Sequence, residues 1–247
     1  MIKINKELEN IRHSIDNINN QIAALLTERV ELVKRVGQIK KQKKNFYVPE
    51  RENFIFKSLS EKFSDLDTEI MKKIFTEIIS GCRSYEKIFD VGVIETPYSL
   101  TALHGILGSF VKHHFFKNIA DLEKEFSNLD YALFNLDVQT VSFVEKTEDI
   151  FIINYCDYEN TRFFLFGTTE NTNILSGKMG FLMKKNNFAK IKDNLYNHLY
   201  STQDISSENI YIEINFDENN EFTNMENIKK IFSVPYKYLG IFPDNNF

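Results

Sequence analysis

Residues 5–44 constrain this chain more than any other stretch. Leu8, Ile11, Ile15, Ile18, Ile22, Leu25, Leu32, Val36 and Ile39 recur at alternating spacings of three and four with no proline between them. That is the pattern of one long amphipathic helix with a single buried apolar seam. The seam position between Leu25 and Leu32 falls on Arg29, and Lys40 stands beside Ile39. A cation on a packing face costs roughly several kcal/mol unless an anion meets it. At about 100° per residue, Arg29 and Lys40 point within about 20° of each other, so together they suit one small dianion. Arg12 lies about 25 Å away along the same axis, a gap that a second, antiparallel copy of the helix would close. The ordinary alternatives are that Arg29 meets Glu28 or Glu31 of a neighbouring helix and that Lys40 reaches solvent beside Lys41, Lys43 and Lys44.

Composition narrows the class. A chain of 247 residues is long enough for two or three compact units. No apolar run approaches a membrane span, and residues 1–21 are too polar for a secretory signal. A cytoplasmic protein with no membrane partner is the expectation. Cys82 and Cys156 have no metal-ligand spacing, which argues against a disulfide framework and a zinc site. Residues 1–90 carry 17 basic and 14 acidic side chains, against 13 and 21 in the remainder. So small a positive excess fits an anionic metabolite and not a nucleic acid.

The fold class expected is multidomain, α followed by α/β. Pro49-Glu50-Arg51-Glu52 opens a second helix with proline in its first turn, buried through Phe54, Ile55, Leu59 and Phe63. A third helix follows residues 64–67, with Ile70, Ile74, Ile78, Cys82 and Tyr85 as its stripe; Glu86 stands one turn beyond Cys82. From residue 90 the spacing predicts strands at 91–94, 131–134, 140–144, 150–155 and 163–166, and helices at 99–113 and 119–126. The last unit reads strand 179–183, helix 188–199, strand 210–216, helix 225–232 and strand 238–242. With a weak strand near 203–206, that is a small βαββαβ domain.

Several of these residues, taken in order, resemble a known family. Ile11-Arg12 with Ile15-Asp16, Leu25-Leu26-Thr27-Glu28-Arg29, Val36-Gly37-Gln38-Ile39-Lys40, Pro49-Glu50-Arg51-Glu52 and Phe75-Thr76-Glu77-Ile78-Ile79-Ser80-Gly81-Cys82 resemble the all-helical chorismate mutase domain. In bifunctional chorismate mutase/prephenate dehydratases this domain comes first. The resemblance implies an intertwined homodimer with shared active sites that rearranges chorismate to prephenate, in aromatic amino-acid biosynthesis, with no cofactor and no metal. It implies that Arg29 holds one substrate carboxylate and that Arg12 of the second subunit holds the other. Lys40 would contact a carboxylate and the ether oxygen whose bond breaks. Arg51 would support the site, Glu52 would take the ring hydroxyl, and Glu86 would donate to the ether oxygen from the opposite side. Many family members have Asp where this chain has Val48, a change that removes a hydroxyl contact and an N-cap together.

The remainder resembles the other parts of such proteins less completely. Val91-Gly92-Val93-Ile94 with Glu95-Thr96-Pro97-Tyr98-Ser99 is similar to the opening of the dehydratase domain, and Asn160-Thr161-Arg162-Phe163 to its Thr-Arg-Phe signature. Phe134-Asn135-Leu136-Asp137 replaces the Pro-Ile-Glu-Asn stretch, and the interval to Asn160 is too short for a second subdomain. Thr161 and Arg162 are therefore expected to be vestigial. Tyr238-Leu239-Gly240-Ile241-Phe242-Pro243 resembles the close of an ACT domain whose Gly-Ala-Leu and Glu-Ser-Arg-Pro motifs are missing. The expected organisation is a mutase domain over 1–89, a degenerate dehydratase-like domain over 90–170 and an ACT-like domain over 177–247. Two rivals stay open at this point: a non-catalytic regulatory or metabolite-binding protein, and an isochorismate-pyruvate lyase on the same helical fold.

Overall fold

The computed structural model describes residues 2–40, 46–195, 198–220 and 225–245, with the side chains of residues 2–5, 40 and 200 outside that description. Three helices come first: α1 (Ile2–Lys40), α2 (Pro49–Lys62) and α3 (Thr68–Arg83). Pro49 occupies the first turn of α2, where its missing N–H would be unpaired anyway, and Val48 before it supplies no side-chain cap. Asp67 does cap α3, accepting from Ile70 N at 2.9 Å.

The helical periods match expectation, but the faces do not. α1 meets α3 at Arg29, which reaches Ile78 O, and Leu26, Val30, Val33 and Gly37 on the same side of the helix are half-buried or buried. The seam from Leu8 to Ile39 lies on another side of the helix, and its nine members are 42–75% exposed. Ile70 and Ile74 of α3, Phe54 of α2 and Phe63 just after it are exposed as well, while α3 buries Met71, Ile79, Ser80, Cys82 and Arg83. Period fixes which residues share a face; it does not say which neighbour covers that face.

A five-stranded sheet follows. Its elements are β1 (Asp90–Ile94), α4 (Ser99–Leu107), β2 (Lys112–Phe116), α5 (Ile119–Glu125), β3 (Tyr131–Phe134), α6 (Val141–Lys146), β4 (Phe151–Tyr158) and β5 (Thr161–Gly167), with strand order β2-β1-β3-β5-β4. β1 runs parallel to β2 and β3; the β4–β5 hairpin joins β3 antiparallel. Two expectations fail. The helix expected over 99–113 stops at Leu107 because Gly108 adopts φ +71 and lies against Ser80, where a Cβ would approach to 2.3 Å. The chain then enters β2. The strand expected at 140–144 is helical, since Asp137 Oδ1 accepts from Gln139 N at 2.8 Å and Thr140 N at 3.0 Å, an Asx turn that starts α6.

The second sheet contains β6 (Ser176–Lys184), α7 (Lys185–Leu195), β7 (Leu199–Asp204), β8 (Asn209–Asp217), α8 (Met225–Ile231) and β9 (Lys237–Phe242). Its order, β7-β8-β6-β9, is antiparallel throughout and realises the βαββαβ plan. The weak strand near 203–206 is β7, which begins at Leu199, inside the stretch expected as helix. Phe134, Phe164 and Phe166 of the first sheet meet Leu182, Tyr211, Leu239 and Phe242 of the second, α4 covers the first sheet's other face, and α7 and α8 cover the second's. Val91, Gly92 and Val93 are buried in succession, so both faces of β1 are covered. The helices dock on the C-terminal end of α4: Arg83 Nη2 donates to Leu107 O at 2.6 Å, Phe110 N to Ser80 Oγ at 3.2 Å and Ser109 N to Glu77 Oε1 at 3.1 Å. Among the described residues no helix is long and apolar enough to cross a membrane.

Candidate active site

The surface between α1 and α3 brings together Arg29 and Glu86. Arg29 Nη1 donates to Ile78 O at 3.5 Å. Eight residues further along both helices, Gly37 faces Glu86 so closely that a Cβ at residue 37 would lie 2.9 Å from Glu86 Cγ. Equal steps on the two helices mean that they run parallel, and eight residues correspond to about 12 Å. Glu86 lies in the turn that extends α3, with its backbone N donating to Arg83 O at 2.8 Å, and its Oε2 is shielded from solvent. Only a glycine on α1 leaves that carboxyl group room to lie along the helix. Gly37 thus gives a physical reason for a motif residue that the sequence alone left unexplained.

The other expected residues fall in three places. Lys40 is the last residue of α1, three beyond Gly37, but its side chain lies outside the described residues. Arg12 is exposed near the far end of α1 and joins no cluster among the described residues. Arg51 is exposed on α2, its guanidinium 5.2 Å from the Phe54 ring. Glu52, on the neighbouring face, turns inward and pairs with Arg83. Cys82 is buried in the last turn of α3, consistent with a small apolar residue. Sequence reasoning missed Arg83 and Tyr47, whose ring lies 5.1 Å from the Arg83 guanidinium. The signal available was faint: Arg83 follows Ile79 by four, on the helix face that turns toward the sheets.

Thr161 and Arg162 open β5 and border a cleft of about 450 Å³. Its opposite wall is Ser201, Thr202, Gln203 and Tyr211 of the second sheet. The charge of Arg162 is already used. Its Nε and Nη2 donate to Asp157 at 2.6 and 2.7 Å, and its Nη1 donates to Glu213 at 2.7 Å. Burial pulls the Arg162 guanidinium down, but the hydrogen bonds and charges of Asp157 and Glu213 outweigh it and hold it above its ordinary value. Glu213 is fully buried and also accepts from Tyr211 and Ser201, with Lys178 Nζ at 3.8 Å. Arg162→Met is expected to destabilise the protein by about 2 kcal/mol, less than the 3–5 kcal/mol typical of stripping a buried ion of its partner, because those three neighbours remain. A urea midpoint indistinguishable from wild type would contradict this account of the network.

Comparison with known proteins agrees with the helical geometry. Residues 11–87 match the family model of chorismate mutase type II, and the N-terminal helical region is a domain of that class. Over 157 residues the chain is 31% identical to the bifunctional chorismate mutase/prephenate dehydratase of Aquifex aeolicus (strain VF5), covering 60% of this chain. The match spans only 43% of that relative's length. Among solved structures, a quorum-quenching acylase named GqqA aligns with 63% of this chain and 95% of its own, at TM-score 0.49 and 10% identity. The prephenate dehydratase of Streptococcus mutans aligns with 62% of this chain and 97% of its own, at TM-score 0.45 and 19% identity. Both structural likenesses are loose.

Proposed function

We propose that this chain is a chorismate mutase that works as a homodimer with shared active sites, and that its two sheet domains, over 90–170 and 177–247, no longer dehydrate prephenate. The observation that carries the reading is the α1/α3 surface, which holds Arg29 against Ile78 and, two turns further along, Glu86 against Gly37. The rearrangement is intramolecular: the ether C–O bond breaks as a C–C bond forms, so no nucleophile or base takes part. The site has to hold the substrate in its reactive fold and stabilise charge developing on the ether oxygen. In this reading Arg29 holds one carboxylate, Lys40 meets a carboxylate and the ether oxygen, Glu86 donates to that oxygen, and Glu52 accepts from the ring hydroxyl with Arg51 beside it.

The homodimer is supported by the uncovered seam. Nine large aliphatic side chains along one helix form an apolar surface of the kind a monomer rarely leaves in water. A second copy of α1 laid antiparallel would cover it and carry Arg12 to the partner's Arg29. Loss of the dehydratase is supported by Arg162, whose cation is neutralised by Asp157 and Glu213 and is not free for an anionic substrate. Purified protein is expected to consume chorismate, followed in the ultraviolet, and to give a product that acid converts to phenylpyruvate. No loss of chorismate sinks the reading, and pyruvate release from isochorismate would favour the lyase.

A further inference from the structure

Helix α2 carries two expected substrate-binding residues, Arg51 and Glu52, and the sheet domains hold it at two points directly and at a third through Arg83 of α3. Leu175 N, in the connection between the sheets, donates to Glu50 Oε1 at 3.1 Å and Oε2 at 3.2 Å. Asn53 Nδ2 donates to Asn245 Oδ1 at 3.1 Å, in the tail after β9. Between these contacts, Arg83 holds Glu52 Oε1 through Nη1 and Leu107 O at 2.6 Å through Nη2. Arg83 is 7% exposed and packs against the edge-on ring pair of Tyr47 and Phe89, whose centroids lie 5.1 and 5.2 Å from its guanidinium carbon. Tyr47 is fixed in turn by Asn154 Nδ2, which donates to its hydroxyl at 2.7 Å, and Asn245 Nδ2 donates to Asn154 Oδ1 at 2.7 Å.

A planar guanidinium held by two acceptors and two rings has little freedom, so it transmits the position of α4 to the Glu52 carboxylate. A carboxylate has about four acceptor positions, so pairing with Arg83 and accepting from a substrate hydroxyl are compatible. We infer that Arg83 is a positioning residue of the mutase: it sets Glu52 for the substrate's ring hydroxyl and makes substrate binding depend on the sheet domain's hold on α2. This inference rests on the mutase reading and goes beyond it, because it gives the sheet domains a part in the reaction of the helical one.

The test uses full-length wild type, Arg83→Met, Arg83→Lys, Glu52→Gln and the double variant Glu52→Gln/Arg83→Met, each with steady-state chorismate kinetics and a thermal melt. A hydrogen bond made equally in ground and transition states appears in KM alone, so Arg83→Met is expected to raise KM about tenfold with kcat changed less than about threefold. Lysine can meet Glu52 but not Leu107 O at the same time, so Arg83→Lys is expected to recover part of the KM. The double variant is expected to match Glu52→Gln, because both changes remove one interaction. A wild-type KM in Arg83→Met, even with a lower melting temperature, overturns the inference, as do KM effects that multiply in the double variant. If Arg83→Met does not fold, Arg83→Lys decides: a raised KM supports the inference and an unchanged one overturns it. Wild-type protein without chorismate turnover overturns the mutase reading and this inference with it, an outcome distinct from the others.

Discussion

Glu86→Gln is expected to keep chorismate turnover at alkaline pH where the wild type loses it, while Glu86→Ala loses about 10²–10³-fold in kcat at every pH, the effect of removing one preorganised donor. A residue with a Cβ in place of Gly37 would collide with Glu86, and with glycine there the carboxyl group lies along α1 with Oε2 shielded from water. A carboxyl group donates a hydrogen bond only while protonated, whereas an amide donates at any pH. In the proposed mechanism the active form of the wild type therefore holds the proton. It is fully present at low pH and is lost as pH rises through the ionisation of Glu86 in the substrate complex, and the Gln variant has no such limb. Profiles of kcat against pH check this. Superimposable curves for wild type and Glu86→Gln would mean that Glu86 is not the donor.

Arg29→Ala and Arg12→Ala are each expected to lower kcat/KM by about 10²-fold or more, since truncating one member of a desolvated charged pair costs about 2–5 kcal/mol. The two effects arise differently. Arg29 sits at the α1/α3 contact of its own chain, half-buried and within reach of Ile78 O. Arg12 is exposed, far along the same helix, one residue after the exposed seam member Ile11. Its loss matters only if another chain's site receives it. Steady-state kinetics on each variant tests the pair, and an Arg12→Ala enzyme with wild-type kcat/KM would confine the site to one chain.

The helical domain was legible because long periodic segments without proline leave few alternatives, and the βαββαβ order was legible because β6, β8 and β9 are apolar runs separated by amphipathic helices. What failed was local or tertiary. Residues 140–144 look like a strand by composition, and only the side chain of Asp137, folded back on Thr140 N, makes them start a helix. β2 was absorbed into α4 because the stop at Gly108 depends on a contact with Ser80, 28 residues earlier in the chain. The seam of α1 was read as buried, but among the described residues nothing covers it. Arg83 left almost no trace, since its importance comes from α2, α4 and Tyr47 converging on one guanidinium. The Thr161-Arg162 pair had the opposite problem. Its motif was visible, yet neither Asp157 nor Glu213 could be seen to be its partner before β5 and β8 were brought together.

The central claim, an active mutase whose sites are shared between two chains, is tested most directly by mixing Arg12→Ala and Arg29→Ala proteins under conditions of subunit exchange. In a heterodimer, one site combines Arg29 of the first variant with Arg12 of the second and is whole; the other site lacks both. With random exchange half the dimers are mixed, so the mixture should recover about one quarter of wild-type turnover per chain, given the two-fold symmetry of the dimer. Activity no higher than the mean of the two variants measured separately would contradict the account.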